Sequence, residues 1–230
     1  MEIWNNNDIY LTEQLVKEPT ALQNATKKIR ATPYPPMEVS PAQGKFLYLL
    51  AKIQNASRIL EIGTYYGYST IWLAKAVPEG GVVVSIEQTQ AFVEMAKENI
   101  AEAGLYEKVQ LHHGDASLIL CNFIDESTSP FDMVFIDAHK PSYPKYLNLC
   151  LKLSKPGTII IGDNVILGSE ISLATNPKAE GVRDFIQNLS AADDIESTAL
   201  QTVGIKGYDG FTIGVVGPAK SKTPQPLKIQ

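Results

Sequence analysis

The spacing of apolar residues along the 230-residue chain alternates between two patterns. Short apolar runs, typical of buried strands, are followed by stretches in which apolar residues recur at helical spacing. The predicted strands cover 58–62, 82–86, 108–112, 132–136 and 158–162, and the helices that follow them cover 67–76, 89–103, 115–124, 142–153 and 178–190. Strands that alternate with helices in this way predict βαβ units and a mostly parallel sheet.

Both ends of the chain depart from this alternation. Two last predicted strands, roughly 195–203 and 209–216, are joined by a connector too short for a helix, which predicts an antiparallel hairpin at the sheet edge. Residues 8–30 are predicted to be helical, and the proline-rich segment 32–37 is predicted to be an extended connector. Ser40-Pro41-Ala42-Gln43 then fits a capping box that opens another helix. We predict one domain, with an N-terminal helical cover at 1–56, an α/β body at 57–217 and a flexible tail at 218–230.

Composition narrows the class of protein. The net charge is −5 with 20 basic and 25 acidic residues, and no dense Lys/Arg run is present, which argues against a nucleic-acid binder. No apolar run of 18 residues and no secretory signal pattern occurs, so no membrane association is expected. Cys121 and Cys150 lie in apolar helical surroundings and are predicted to be buried free thiols. A cytoplasmic protein is therefore expected.

A glycine turn follows the first predicted strand. Gly63 and Gly67 bracket this turn, which opens directly into a helix and so places backbone N–H groups beside a ligand pocket. Many α/β proteins carry such a turn for packing alone, so the signal is weak in isolation. Glu87 ends the second strand at a separation from the glycines that suits an acid binding the ribose hydroxyls, although it also fits a solvated strand-end residue. Asp115 fits the N-cap of the next helix and also an acceptor for an adenine amino group beside Ala116 N–H, and both roles can hold at once.

Two carboxylates and an amide follow the fourth and fifth strands. Asp137 ends one strand, and Asp163 with Asn164 ends its neighbour, so their oxygens are expected to converge. Oxygen ligands select a hard cation such as Mg²⁺, Ca²⁺ or Mn²⁺, and three of them leave room for a chelating substrate and water. The alternative is that the two aspartates only terminate their strands as turn residues.

Lys140 lies three residues after Asp137. Its ammonium can act as a general base only if its pKa falls, and a neighbouring cation works in that direction. The alternative is a surface lysine that pairs with Asp137 or Asp163.

With these motifs the chain resembles the cation-dependent class I O-methyltransferases of the caffeoyl-coenzyme-A and catechol type. The resemblance runs from about Met37 to the last strand and is strongest at residues 37–44, 60–69, 135–140 and 162–165. It implies S-adenosylmethionine as the methyl donor, a Rossmann-like, doubly wound seven-stranded sheet with one antiparallel strand, and a homodimer. By position, it also implies a site of three parts. The donor would be bound by Val39, Glu61, Gly63, Ser69, Glu87, Asp115, Ala116 and Asp137; the cation by Asp137, Asp163 and Asn164; and the acceptor by Met37, Lys140 and Asn164, with Lys140 and Asp137 as catalytic residues.

Departures from the family pattern bear on the acceptor. Asp137-Ala138-His139-Lys140 lacks the second acid of the plant coenzyme-A-ester enzymes, and the turn after Asn164 lacks their tryptophan, which brings the chain closer to the catechol type. The expected acceptor is a catechol-like small phenol: a free catechol, a flavonoid or a hydroxycinnamoyl ester. Residues 1–36, the loop 167–178 and the segment around Tyr208 and Phe211 are expected to shape its pocket.

Two other functions compete with this one. A nicotinamide-dependent oxidoreductase would use the same crevice, but the turn at Gly63 lacks the Gly-x-Gly-x-x-Gly spacing that a pyrophosphate needs. A non-catalytic adenosyl-binding protein would be expected to lose Lys140 or the Asp163-Asn164 pair, and the chain keeps all three.

Overall fold

The sheet has the predicted doubly wound arrangement. A computed structural model describes residues 3–168 and 171–218. Its seven strands lie in the order β3-β2-β1-β4-β5-β7-β6, and β7 runs antiparallel to both of its neighbours while the other neighbouring pairs are parallel. The strands are β1 (Arg58–Ile62), β2 (Val82–Glu87), β3 (Val109–His113), β4 (Phe131–Ile136), β5 (Ser154–Asp163), β6 (Ile195–Gly204) and β7 (Gly207–Val216). The predicted mostly parallel sheet with a terminal hairpin is confirmed.

Helices cover both faces of the sheet. One core joins residues of α6, α7 and α8 to the sheet, and a second core on the other face joins α2, α3, α4 and α5 to it. The described helices are α1 (Ile3–Leu15), α2 (Thr20–Arg30), α3 (Pro41–Ile53), α4 (Tyr68–Ala76), α5 (Gln90–Glu102), α6 (Ala116–Asp125), α7 (Tyr143–Lys152) and α8 (Pro177–Ala191). Because the helices leave the carboxyl ends of β1, β2, β4 and β5 open, a crevice forms at that edge.

The N-terminal region is helical over most of 8–30, as predicted, but not throughout. It forms two helices, α1 and α2, with a break at residues 16–19. Pro19 stands at the N-cap of α2, where its ring and missing N–H prevent an incoming helix from continuing. The start of α3 agrees with the sequence, because the Ser40 hydroxyl oxygen accepts a hydrogen bond from Gln43 N at 3.1 Å. The connector between α2 and α3 places Val39 at the wall of the crevice.

The predictions for the cysteines, the hairpin loop and the C-terminal tail have different outcomes. Both cysteines are free and Cys150 is buried, but Cys121 is only half-buried, so that part of the thiol prediction is wrong. The hairpin loop is shorter than expected, because only Ile205 and Lys206 separate β6 from β7. Among the described residues no helix has the length and apolar character needed to cross a membrane. The predicted tail at 218–230 lies outside the described residues apart from Pro218, and the domain boundaries stay a prediction.

Candidate functional site

A cavity of about 860 Å³ opens at the carboxyl ends of β1, β2, β4 and β5. This volume falls within the range of small-molecule sites. Many of the predicted site residues line it, namely Met37, Val39, Gly63, Ser69, Glu87, Ala116, Asp137, Lys140, Asp163 and Asn164. Glu61 and Asp115 lie beside the cavity without lining it. Of the two residues expected to shape the acceptor pocket from the hairpin, Phe211 lines the cavity and Tyr208 does not.

The glycine turn is held against the end of β4. Gly63 has φ +96°, and a Cβ at this position would lie 1.9 Å from the backbone carbonyl oxygen of Asp137. Gly67, with φ +80°, is the N-cap residue of α4. Only glycine permits both the left-handed backbone and this close approach, so the turn brings bare backbone to the cavity.

Glu87 fixes the other side of the same turn. Its Oε2 accepts hydrogen bonds from Thr64 N at 3.2 Å and Tyr65 N at 2.8 Å, and its Oε1 accepts one from Thr89 N at 2.8 Å. The carboxylate is therefore ordered at the cavity wall. An ionised carboxylate offers about four acceptor sites, so capacity remains for a ligand hydroxyl.

Glu61 lies beneath the cavity floor. Its side chain is fully buried and accepts hydrogen bonds from the hydroxyls of Ser69 and Ser85, both at 2.6 Å, and from that of Thr70. Burial raises the pKa of Glu61 to about 7, although the three hydroxyls favour the charged form and lower it in part. Because Ser69 lines the cavity, Glu61 faces it through that hydroxyl.

Asp115 caps α6, as one of its two predicted roles requires. Its Oδ1 accepts hydrogen bonds from Ser117 N at 2.7 Å and Leu118 N at 3.2 Å. Its neighbours Gly114 and Ala116 line the cavity. The cap thus sets the position of backbone that faces the cavity.

The predicted cation ligands and Lys140 form one cluster. The register pairs Ile136 with Gly162, so the next residues, Asp137 and Asp163, leave adjacent strands side by side. Lys140 Nζ donates hydrogen bonds to Asp137 Oδ1 at 3.0 Å, Asn164 Oδ1 at 3.0 Å and the Asp163 backbone oxygen at 3.1 Å. The side chains of Asp137 and Asn164 therefore meet at Lys140, whereas Asp163 contacts it through its backbone oxygen.

Tyr143 completes this cluster, and sequence reasoning missed it. Its hydroxyl oxygen lies 2.6 Å from Lys140 Nζ, which therefore shares its three N–H groups among four acceptors. The hydroxyl also lies 3.0 Å from the backbone oxygens of Ile136 and Asp163 and can donate to one of them. The signal that could have found it is its spacing, one turn after Lys140.

The charged groups of the cluster shift the pKa values of one another. Burial, together with the negative charge of Asp137, raises the pKa of Asp163 to about 7, and the Lys140 ammonium lowers it in part. Burial alone would lower the pKa of Lys140, but Tyr143 and Asp137 outweigh it, so the pKa lies above its ordinary value. Lys140 is thus a charged ammonium in this arrangement, and the protein alone does not supply the lowered pKa that a general base requires.

The donor set fits a hard divalent ion. Two carboxylates and an amide oxygen are the ligand types that Mg²⁺, Ca²⁺ and Mn²⁺ select, and a cation would relieve the repulsion between the two acids. Within 3–168 and 171–218, no group of three or more His, Cys, Asp or Glu side chains forms a metal site. A cation here would therefore depend on Asn164 and on oxygens from outside the chain.

Comparison with known proteins identifies the family. A sequence model described as O-methyltransferase matches residues 12–213. The chain belongs to this O-methyltransferase family. The predicted class, an S-adenosylmethionine-dependent class I O-methyltransferase of the catechol and caffeoyl-coenzyme-A type, is confirmed. The oxidoreductase alternative is wrong.

Relatives of this O-methyltransferase match nearly its whole length. It is 42% identical to a catechol O-methyltransferase from Niastella koreensis over 217 residues. The matched region is 94% of this chain and 98% of the relative. It is 39% identical to a catechol O-methyltransferase from Mycobacterium tuberculosis, over 91% of this chain and 94% of the relative. The plant relatives are more distant, such as caffeoyl-CoA O-methyltransferase 2 of Populus trichocarpa at 31% identity over 89% of this chain and 85% of the relative.

Solved structures confirm the fold of this O-methyltransferase. The O-methyltransferase TomG from Streptomyces achromogenes, in complex with S-adenosylmethionine, matches with a TM-score of 0.91 and 45% identity, over 95% of this chain and all of that one. An O-methyltransferase from Bacillus cereus, in complex with S-adenosylhomocysteine, matches with a TM-score of 0.90 and 43% identity, over 93% of this chain and 98% of that one.

Proposed function

We propose that this O-methyltransferase moves the methyl group of S-adenosylmethionine to one hydroxyl of a catechol-like small phenol with the help of a divalent cation. The observation that carries the proposal is the cluster around Lys140, in which the side-chain oxygens of Asp137 and Asn164 lie beside the backbone oxygen of Asp163. This cluster lines the same cavity as Gly63 and Glu87. Relatives named as catechol O-methyltransferases at 42% and 39% identity support this acceptor class.

The donor end of the site is proposed to lie along β1 and β2. Glu87 would bind the ribose hydroxyls, because its carboxylate is ordered by three backbone N–H groups and keeps free acceptor capacity. Val39, Gly63 and Ser69 would surround the methionine end, with Glu61 acting from beneath Ser69. Asp115 would set the position of Ala116 beside the adenine.

The cation site is proposed at the ends of β4 and β5. When bound there by Asp137, Asp163 and Asn164, a divalent cation, Mg²⁺ before Ca²⁺ or Mn²⁺, would supply Lewis-acid chemistry to two adjacent oxygens of the acceptor. Asp137 would serve both the donor and the cation, since it lies between the glycine turn and Lys140.

Lys140 is proposed to take the proton of the attacking hydroxyl at Nζ. Its charged form is stabilised in the structure by hydrogen bonds to Asp137 and Asn164. Tyr143 and Asp137 raise the pKa of Lys140 against the lowering effect of burial. A cation held by Asp137 and Asn164 would work in the same direction as burial, because a like charge disfavours the ammonium. The chain's other contribution is alignment of oxygen, methyl carbon and sulfur, because the sulfonium is already reactive.

A free catechol is the favoured acceptor over a coenzyme-A ester. Phe46, Leu167 and Phe211 give the cavity an apolar wall, and Met37 lines its outer part. These side chains suit a small aromatic ring.

The protein is further proposed to be a homodimer. Helix α1 buries none of its described residues, and Trp4, Leu11 and Leu15 are exposed on it. The edge strand β6 is exposed from Glu196 to Val203. A helix with exposed apolar side chains beside a long open edge strand fits contact with a second copy. A cytoplasmic location stays a prediction from the two free cysteines.

A matched panel of acceptors tests the proposed reaction. Purified protein with Mg²⁺ and S-adenosylmethionine is expected to methylate catechol once and to leave phenol and resorcinol unmodified, because only adjacent oxygens can share a cation. Lys140→Met should abolish turnover while S-adenosylhomocysteine still binds, and Lys97→Met on the exposed face of α5 serves as the control. Equal methylation of phenol and catechol would contradict the proposal.

A further inference from the structure

The side chain of Asp209, near the start of β7, accepts four hydrogen bonds beside the proposed cation ligand Asn164. Its Oδ1 accepts from Ile166 N at 3.0 Å, Leu167 N at 3.0 Å and Gly210 N at 2.8 Å. Its Oδ2 accepts from Asn164 Nδ2 at 3.2 Å. The side chain is half-buried and lines the cavity. One carboxylate thus holds both the turn that follows β5 and the side chain of Asn164.

The backbone explains how β7 reaches that turn. Val165 N donates to Gly210 O at 2.9 Å, and a Cβ at Gly210 would lie 2.5 Å from Leu200 O and 2.8 Å from Ile166 Cγ1. Glycine at 210 is therefore required for the close approach. The turn itself is strained, since Asn164 and Leu167 have φ +53° and +59° without being glycine. Such a conformation persists where neighbouring groups hold it, and Asp209 is one of those groups.

Asn164 is held from two sides by partners of opposite polarity. Its Nδ2 faces the Asp209 carboxylate, which only accepts hydrogen bonds, and its Oδ1 faces the Lys140 ammonium, which only donates them. Rotating the amide by half a turn would set like groups against each other on both sides. The orientation of the amide is therefore determined by Asp209 together with Lys140.

We propose that Asp209 is a positioning residue that fixes the Asn164 amide with its carbonyl oxygen toward Asp137, Asp163 and Lys140. Its importance for cation affinity rests on the proposed function of that cluster. Residues that orient metal ligands commonly change metal affinity by about 10–100-fold when they are replaced. Asp209 would act on the cation by holding Asn164 and the turn that follows it.

Near-isosteric substitution separates this role from general support of the hairpin. In Asp209→Asn, the new amide oxygen is needed by the three backbone N–H groups, so its NH₂ faces Asn164 Nδ2 and favours the flipped amide. Tyr208→Phe is the matched control, because it removes a hydrogen bond to Gln201 from the same hairpin without touching Asn164. The double variant Asp209→Asn with Asn164→Asp restores a donor–acceptor pair of reversed polarity.

Mn²⁺ affinity, followed by the electron paramagnetic resonance signal of the free ion, is the first readout. D209N is expected to bind Mn²⁺ at least about tenfold more weakly than the wild type, while its affinity for S-adenosylhomocysteine without cation stays within about twofold. Y208F should match the wild type, and the double variant should recover most of the lost affinity. Unchanged Mn²⁺ binding in D209N, an equal loss in Y208F, or a double variant as weak as D209N would overturn the proposal.

The Asn164 side-chain amide gives a second readout that needs no cation. Its NH₂ resonances, assigned by their absence in N164D, should be protected from exchange in the wild type and should lose that protection in D209N. Resonances that do not change would overturn the positioning role. If the wild type binds no Mn²⁺ but these resonances do change, the cation in the proposed function is wrong while the role of Asp209 stands.

Discussion

Replacing Glu61 with glutamine should make the stability of the protein less dependent on pH. Glu61 is fully buried beneath the cavity, and burial raises its pKa from 4.5 to about 7. The folded protein therefore favours the neutral carboxyl group. Glutamine keeps the shape of that group without a titratable proton, and its three hydroxyl partners can each rotate to donate or accept.

The size of the effect follows from the pKa shift. Because the folded-state pKa lies above the unfolded value, the stabilising contribution of Glu61 is complete below pH 4.5 and is lost as the pH rises through about 7. At 1.36 kcal/mol for each pKa unit, the loss levels off at about 3 kcal/mol in alkaline solution. In E61Q this contribution is absent at every pH.

Urea unfolding of wild type and E61Q at pH 4.5 and pH 8.5, without ligand, measures the difference. Asp163 also has a raised pKa, but it is present in both proteins and its contribution cancels in the comparison. The wild type should lose about 3 kcal/mol relative to E61Q between the two pH values. Parallel pH profiles for the two proteins would refute the assignment of a neutral buried Glu61.

Three further predictions concern the glycine turn and the cluster at Lys140. Gly63→Ala should abolish S-adenosylhomocysteine binding in calorimetry, because its Cβ would collide with the backbone; Gly80→Ala, with φ +76° but no atom within 4 Å, should cost only about 1–2 kcal/mol in urea unfolding and keep binding. Tyr143→Phe should lower the unfolding free energy by about 1–3 kcal/mol and slow methyl transfer, because buried partners of its hydroxyl lose their hydrogen bonds; a variant as stable and as active as the wild type would contradict this. Cation affinity, measured by Mn²⁺ calorimetry, should weaken about tenfold for each pH unit below the Asp163 pKa of about 7 and level off above it, with proton release on binding; a flat profile from pH 5 to 8 would contradict this.

The sheet could be predicted from the sequence because its central strands are buried on both faces. Phe131 to Ile136, for example, is an uninterrupted buried run, and such runs bounded by turns have few alternatives in an α/β chain. The break within the helical region predicted over 8–30 was not foreseen, because the apolar spacing continues past Pro19. The spacing of apolar residues hardly changes when one residue is a proline, whereas that proline ends the helix.

The site residues that follow strand ends could be predicted from the sequence. Those that reach the site only through tertiary contacts could not. Asp137 and Asp163 converge because adjacent parallel strands end together, which the order of elements already implies. Tyr143 and Asp209 reach the cluster through a helical turn and a reversed strand, and their sequence neighbours give little sign of it. The raised pKa of Lys140 depends on Tyr143 as well as on Asp137, so it could not be predicted from the strand ends alone.

The central claim is that methyl transfer by this protein depends on a divalent cation. The most direct measurement is the rate of methyl transfer from S-adenosylmethionine to catechol, in protein stripped with EDTA and then supplied with Mg²⁺. The cluster at Asp137, Asp163 and Asn164 predicts that stripping removes the activity and that Mg²⁺ restores it. Equal rates before stripping, after stripping and after Mg²⁺ is restored would contradict the account.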